Sequence, residues 1–423
     1  MMFRIVAAMF LVGLSACTGT DKVDSGEESS ESGASVPTWH QDVRPIIETS
    51  CAGCHTDGGI GGFSLETYGD VSVVADAVAD SVADRRMPPW KAVDGCNDYR
   101  DDITLSEDQI ATIVDWAEGD APVGDEEAAR TGTPPATGSL ERVDLTVSLP
   151  LPYEVNTDQL DDYRCFPVEW PLEEDAYVTG YVVKPGRADL VHHMIAFIIP
   201  GSYAETLAEL EAEDGNPGYS CFGGPGGIDQ QDANWLGAWA PGAVQGSFPN
   251  GIGLSMKADD ILVLQMHYNN TSGGTGTDQS SIDFQIEAEV EREGWIQPFT
   301  NPLWVFSGGM DIPAGEEGVA HSFGYAMPRD MTFYTASLHM HTLGKTARME
   351  IERPDGTKDC LLEIDDWDFD WQRTYGFSEP VQLQEGDVWH LGCTWDNPTD
   401  QDVDWGEGTG DEMCLGTALV TLD

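Results

Sequence analysis

The chain has 423 residues, with 75 Asp and Glu against 20 Lys and Arg and a formal net charge of -55. A molecule so negative is repelled by nucleic acid and by anionic membrane faces, so neither is an expected partner. The length calls for two or three domains, and 40% hydrophobic with 9% aromatic residues suffices to bury their cores. The plain reading of the charge is a heavily solvated acidic surface.

Residues 1–17 carry an early Arg4 and then a short apolar run, MMFRIVAAMFLVGLSA, too brief for an ordinary spanning helix. The run ends in LSAC, with Thr18 after Cys17. This resembles a bacterial lipoprotein signal, which implies a lipid anchor at Cys17 and a cell-envelope location, on the periplasmic face or the outer surface of the outer membrane. Residues 18–37 are mostly Ser, Gly and Glu with almost nothing to bury, and they are expected to form a flexible tether.

CAGCH at 51–55 opens the chemistry. Cys51 and Cys54 can each form a thioether to a haem vinyl group, and His55 is then placed to ligate the iron. A structural CxxC disulfide beside a chance histidine is the competing reading. RRMPPW supplies Met87 as a second axial ligand, its loop stiffened by Pro88 and Pro89. Downstream, SEDQIATIVDWAEG predicts a helix capped by Ser106 and Gln109, apolar at Ile110, Ile113, Val114 and Ala117, and stopped by Gly119. Residues 38–122 therefore resemble a small all-α class I cytochrome c with one covalently bound haem c. Residues 123–142, rich in Gly, Thr, Pro and Ala, predict a second linker.

Beyond it the pattern changes to short runs rich in Val, Ile, Thr and Tyr, such as DAYVTGYVVK, DILVLQMHYN and DMTFYTASLHM, between Gly, Pro, Asp and Asn clusters. The expected fold is mostly β, as two sandwiches over 143–293 and 294–423 joined near EREGWIQPFTNP. Five of the nine histidines fall here in three compact motifs. His339 and His341 lie two apart, so on a strand they share a face. His192 and His193 are adjacent, so joint ligation needs a bulge, a strand end or different ring nitrogens. His267 in LQMHYNN completes that second set as three imidazoles. Met413 in GDEMCLG offers a soft thioether, which favours Cu(I) over zinc.

Taken in order, HHM, QMHY, HMH and DEMC resemble the copper type II, ascorbate-dependent monooxygenases over roughly residues 143–423. The resemblance implies two jelly-roll-like antiparallel β-sandwiches facing each other across a solvent-filled cleft, with one copper ion on each. It implies that His192, His193 and His267 hold an electron-storing copper, and that His339, His341 and Met413 hold the copper that binds O2. It further implies an oxidoreductase that hydroxylates a C–H bond of a small-molecule substrate with O2. The reductant is external, either ascorbate or an electron carrier such as a periplasmic donor feeding the fused haem. Peptide-amidating members carry an arginine where this chain has Ser337, and Asn and Tyr where it has Leu415 and Thr417, so amidation of peptides is not expected.

The resemblance also implies disulfides Cys165 with Cys221 and Cys393 with Cys414. That leaves Cys96 and Cys360, whose bridge would clamp the cytochrome onto the second sandwich; two free thiols are the alternative. Tyr268 and Gln265 are candidates to support His267, while His40, His321, His390 and Lys345 are expected to be structural or solvated. A reading from another class is an electron-transfer or copper-binding lipoprotein that oxygenates nothing, and O2-dependent product formation separates the two.

Overall fold

Ser106 and Gln109 cap each other's backbone N–H groups at the start of the helix Glu107–Glu118, and Gly119 follows its last turn. In this computed structural model, residues 36–422 are described except 58–60, 101, 134–139, 241–242, 244, 250, 271–273 and 370. The leader expected over 1–17, with Cys17, and nearly all of the tether lie outside the described residues. The helix buries Ile113, Trp116 and Ala117 against Ala75, Ala79 and Val82 of the helix Ala75–Ala83, and against Trp39, Val43 and Ile47. Each fully buried Ile or Val in such a small core contributes about 1.5–3 kcal/mol.

The residues after Gly119 do not behave as a free linker throughout. Gln41 donates from its side chain to the Asp125 carbonyl, Arg130 N–H donates to the His40 carbonyl, and Gly132 N–H donates to Glu48. The stretch from 125 to 132 therefore lies along the helical unit, because its backbone finds partners there that composition does not reveal.

Residues 90–100, between the Met87 loop and the capped helix, join the β-rich part. Ala92 bridges to Ile364 and Tyr99 to Phe377. Val93 N–H donates to the Glu363 carbonyl and Arg100 N–H to Gly376. Ala92 is buried in the core of the C-terminal sandwich, and Cys96 is disulfide-bonded to Cys360. The stretch thus fills the space between the strands Lys358–Ile364 and Thr374–Leu383.

The N-terminal sandwich packs a five-stranded sheet, with Ile261–Asn269 between Asp161–Glu169 and Val191–Ile199, onto a nine-stranded sheet. Phe166, Met194, Leu262, Val178, Ile252 and Phe284 fill the space between them. The C-terminal sandwich packs the four-stranded sheet around Val388–Trp395 onto the other end of that same nine-stranded sheet, with Met349, Leu391, Phe333 and Val420 inside. The joint expected near 291–302 is itself a strand, Arg292–Phe299. It pairs parallel with Ile252–Met256 and antiparallel with Leu415–Leu422, so the sheet runs unbroken from one sandwich to the other. Pro298 lacks a donor and Gly294 lacks a side chain, which is why this strand is weakly marked in sequence. Among the described residues no helix is long and apolar enough to cross a membrane.

Replacing both Cys96 and Cys360 by Ser removes the covalent tie that holds residues 90–100 to their sheet. The double variant is expected to lose about 2–4 kcal/mol of stability, read as a fall in melting temperature together with faster proteolysis inside 90–100.

Candidate metal centre

His193 pairs with His267 across neighbouring strands, but Tyr268 pairs with Val191, so His192 is the extra residue of a β-bulge. The bulge turns both adjacent histidines toward His267. One ring nitrogen from each of the three comes within 4.8 Å of the others. The Nδ1 atoms of His267 and His193 are 3.2 Å apart, and those of His192 and His193 are 3.4 Å apart. Desolvation, then the neighbouring imidazoles, pushes His192 down to about 3 and His193 well below the ordinary histidine value. Held neutral, the rings keep the lone pairs that a metal requires.

The ring of His267 is fixed from behind. Its Nε2 lies 2.9 Å from Asp161 Oδ1, which also accepts from Asn269 and from Thr409 at 2.8 Å each. Burial opposes the Asp161 charge, but the bonds from His267, Thr409 and Asn269 outweigh it and hold the carboxyl far below its usual range. A carboxylate on one ring nitrogen sets the tautomer and leaves the other, here Nδ1, for a metal. Tyr163 stacks on the same imidazole at 4.1 Å between centroids. Tyr268 and Gln265 serve other ends: Tyr268 donates to Asp278, and Gln265 donates to the Gly224 carbonyl.

His339 ends the strand Met331–His339, and His341 lies two residues beyond it. The pair is therefore not set by strand alternation alone, yet the two ring centroids are 5.1 Å apart. Buried Glu412 makes this turn. Its carboxylate accepts from the backbone N–H groups of His341 at 2.9 Å, Leu343 at 2.6 Å and Met413 at 3.3 Å, and from the Trp395 indole at 2.9 Å. One oxygen, Oε2, holds the backbones of both His341 and Met413, which brings the HMH and DEMC motifs together. The Nδ1 atoms of His339 and His341 lie 2.6 Å from Gln372 Oε1 and 3.0 Å from the Asp411 carbonyl, so each ring presents Nε2 as its open nitrogen. Burial pushes His339 down to about 3 and His341 to about 4. Met413 is buried beside Cys414, which is bonded to Cys393.

The two histidine sets adjoin. His193 and His339 have ring centroids 6.3 Å apart, and Phe369 stacks on His192 at 4.7 Å and lies 6.1 Å from His341. Phe369 thus lies between the two sets, and Thr409 of the C-terminal part donates to Asp161 of the N-terminal part beside them.

At CAGCH, Cys51 and Cys54 are the unpaired cysteines among the described residues, while Cys96, Cys165, Cys221, Cys360, Cys393 and Cys414 form three bridges. The competing CxxC disulfide is therefore not formed. His55 N–H donates to the Cys51 carbonyl, which folds the motif into one turn. His55 Nδ1 lies 3.2 Å from the Phe63 carbonyl, leaving Nε2 open. Gly61 packs against that ring so closely that a Cβ would meet Nδ1 at 2.5 Å. Met87 is 41% exposed, with no bond placing it over His55. His321 bonds to the Asp311 carbonyl, His390 pairs with Glu352, and Lys345 is exposed near Asp396, all apart from the centre.

Sequence reasoning found the imidazoles and thioether but missed their supports. Asp161, Gln372 and Phe369 are remote in sequence from the histidines they touch, and no local pattern marks them. Glu412 stands inside DEMC, where its acidity next to Met413 was the available signal.

Residues 152–275 match the sequence profile of the copper type II ascorbate-dependent monooxygenase N-terminal domain, and residues 310–416 that of its C-terminal domain. Together they take up more than half of the chain. The chain belongs to the copper type II ascorbate-dependent monooxygenase family, and with it to the copper-dependent monooxygenases. A mouse relative, "Peptidyl-glycine alpha-amidating monooxygenase", is 25% identical over 300 residues, 67% of this chain but only 27% of the relative. Two crystal forms of PNGF-II align at 11% and 12% identity with TM-scores of 0.27 and 0.25, covering 66% of this chain and 65% and 64% of theirs. Likeness at that level carries no argument.

Two variants test the supports of this monooxygenase centre. Glu412→Ala strips four buried donors of their acceptor and is expected to cost about 3 kcal/mol and to empty the His339 and His341 site, read by metal analysis. Glu407, whose carbonyl accepts from Tyr163, is pushed up to about 7 by burial and then by Asp411. A raised carboxyl favours the fold below its unfolded value and loses that contribution as pH rises through about 7. Glu407→Gln is therefore expected to raise stability at pH 8 by on the order of 1 kcal/mol and to leave it unchanged at pH 4, measured by denaturant unfolding.

Proposed function

We propose that this enzyme hydroxylates a C–H bond of a small organic substrate, with two copper ions at the two histidine sets and a haem c at Cys51 and Cys54 as the source of electrons. The observation that carries the reading is the meeting of the two sets, His193 against His339 at 6.3 Å, each backed by groups that fix which nitrogen is open. Bound copper would supply one-electron storage at each site and the activation of O2 at one of them. One oxygen atom goes to the substrate and the other to water, with two electrons drawn from the reductant.

The protein's part is positional. His192, His193 and His267 converge through the bulge and the Asp161 bond, a donor set suited to a copper that stores an electron. His339, His341 and Met413 offer two imidazoles and a thioether, the softer set, on a turn held by Glu412. Phe369 fills the gap between His192 and His341 and keeps bulk water from it. Cys51 and Cys54 would hold a covalently attached haem, with His55 through its open Nε2, and Met87, as the residues offered to its iron. Electrons arrive from an external carrier, such as a periplasmic donor, or from ascorbate.

The hydroxyls of Ser337 and Thr417, 2.5 Å apart, bond to each other where amidating members carry an arginine and a tyrosine. With no cation at that position the site favours a neutral or cationic substrate over a peptide carboxylate. The anchor at Cys17 and a cell-envelope location belong to the same reading.

Metal analysis and EPR on wild type, His341→Ala and Met413→Ile test it. Two coppers and one haem are expected in the wild type, with one copper signal lost or altered in each variant and O2-dependent product reduced at least about a hundredfold. Full metal content with no O2-dependent product from any substrate would leave an electron-transfer protein instead.

A further inference from the structure

Trp405 pairs with Glu412 in an isolated parallel bridge, and the residues between them form a closed turn. The turn is tied within itself: Gly406 N–H donates to the Glu412 carbonyl at 3.1 Å, Asp411 N–H to the Gly408 carbonyl at 2.8 Å, and Gly408 N–H to Asp411 Oδ2 at 3.1 Å. A Cβ on Gly406 would meet Asp411 Oδ2 at 2.2 Å, so the carboxylate packs where a side chain would stand. Two separate routes lead from this turn to His267. The Thr409 hydroxyl donates at 2.8 Å to Asp161 Oδ1, the same oxygen that lies 2.9 Å from His267 Nε2. Tyr163, whose ring stacks on the His267 imidazole at 4.1 Å with an interplanar angle of 8°, donates its hydroxyl to the Glu407 carbonyl at 2.6 Å. The other end of the turn serves the second histidine set. The Asp411 carbonyl lies 3.0 Å from His341 Nδ1, and Glu412 accepts from the backbone N–H groups of His341 and Met413. Gly410 alone separates Thr409 from Asp411, so displacing one of these contacts displaces the other.

We propose that Thr409 is a positioning residue for both metal sites and that the turn 406–411 couples them, so that metal held by His192, His193 and His267 tightens binding at His339, His341 and Met413, and the reverse. A metal on Nδ1 of His267 fixes that ring and strengthens its Nε2–H as a donor to Asp161. Asp161 then holds Thr409, and Tyr163 holds Glu407. With the turn ordered from that side, the Asp411 carbonyl and the Glu412 carboxylate already stand where His341 and Met413 need them, and the second site has less order left to impose. The effect is reciprocal, because coupling between two binding equilibria has one value. Mutual repulsion of two cations opposes it but does not depend on Thr409. This rests on the copper reading above and deepens it.

The test titrates the purified protein, stripped of copper, with Cu(I) against the chelator bicinchoninate. The affinity of the His339, His341 and Met413 set is measured with the first set filled, and again with that set disabled by His192→Ala and His193→Ala together, which leave His267 and its contacts in place. The ratio of the two affinities is the coupling. Thr409→Val should lower this ratio about tenfold, and Thr409→Ser, which keeps the hydroxyl, should restore it. Gly406→Ala, which pushes the Asp411 side chain aside and leaves the Asp161 bond alone, should lower it by a similar factor. A general loosening of the fold weakens both terms of the ratio alike and does not imitate this result. In His341→Ala, one equivalent of Cu(I) should slow amide exchange across 406–411 roughly threefold, an effect lost when Thr409→Val is added. A ratio unchanged in Thr409→Val or in Gly406→Ala, or exchange across the turn that ignores Cu(I), would overturn the coupling and leave two independent copper sites. A wild type that binds no Cu(I) would overturn the copper reading with it.

Discussion

The strand Arg292–Phe299 holds the molecule's geometry together. Hydrogen-bonded to Ile252–Met256 on one side and Leu415–Leu422 on the other, it makes two sandwiches share one sheet. Backbone ladders resist sliding, because a shift of register would break many bonds and turn buried side chains outward. Leu415 pairs with His339, and Met413 lies two residues before it, so the C-terminal ligands are indexed to that sheet. The N-terminal histidines sit on the sheet packed over its other end. Contact between the two sets then needs only local closures, such as Thr409 donating to Asp161 and Phe369 stacking on His192.

The centre is built by a similar device used twice. In each set an acidic or amide group remote from the metal-facing nitrogen takes the other one or the adjoining backbone. Asp161 takes His267, Gln372 takes His339, and Glu412 takes the backbone of His341 and Met413 together. The extreme acidity of the chain is thus not only a solvation effect, since a few of its carboxylates are buried and bonded where they hold ligands. The burial that keeps the imidazoles neutral also raises the strength of every one of these bonds.

How far the sequence could be read depended on range. Local signals were sound: the Ser106–Gln109 capping box and the β texture both depend on neighbours a few residues away. The HMH spacing pointed to a shared face, and the rings do converge, although His341 lies past the strand end and is held by Glu412 instead. The adjacent pair at 192 and 193 needed a bulge, a strand end or different ring nitrogens, and the register shift opposite His267 supplies the bulge. What could not be read was long-range. Nothing in EREGWIQPFTNP announces a central strand, since its Gly and Pro mimic a joint. Gln372 is 33 residues from His339 and Asp161 is 106 from His267, distances over which periodicity carries no information. The docking of residues 90–100 on the C-terminal sandwich was foreshadowed only by Cys96 and Cys360, the pair left over from the other two bridges, and they are bonded to each other.

That bridge also imposes an order of assembly. Cys96 and Cys360 are 264 residues apart, so the helical unit cannot be locked to its sheet until most of the chain has been made and the C-terminal sandwich has formed. Until then Cys96 is a reactive thiol on the same short unit as Cys51 and Cys54, and any premature pairing among the three consumes a thiol of the CAGCH motif. A chain of this design therefore favours oxidising Cys96 last, which makes the disulfide a record that both parts have already folded.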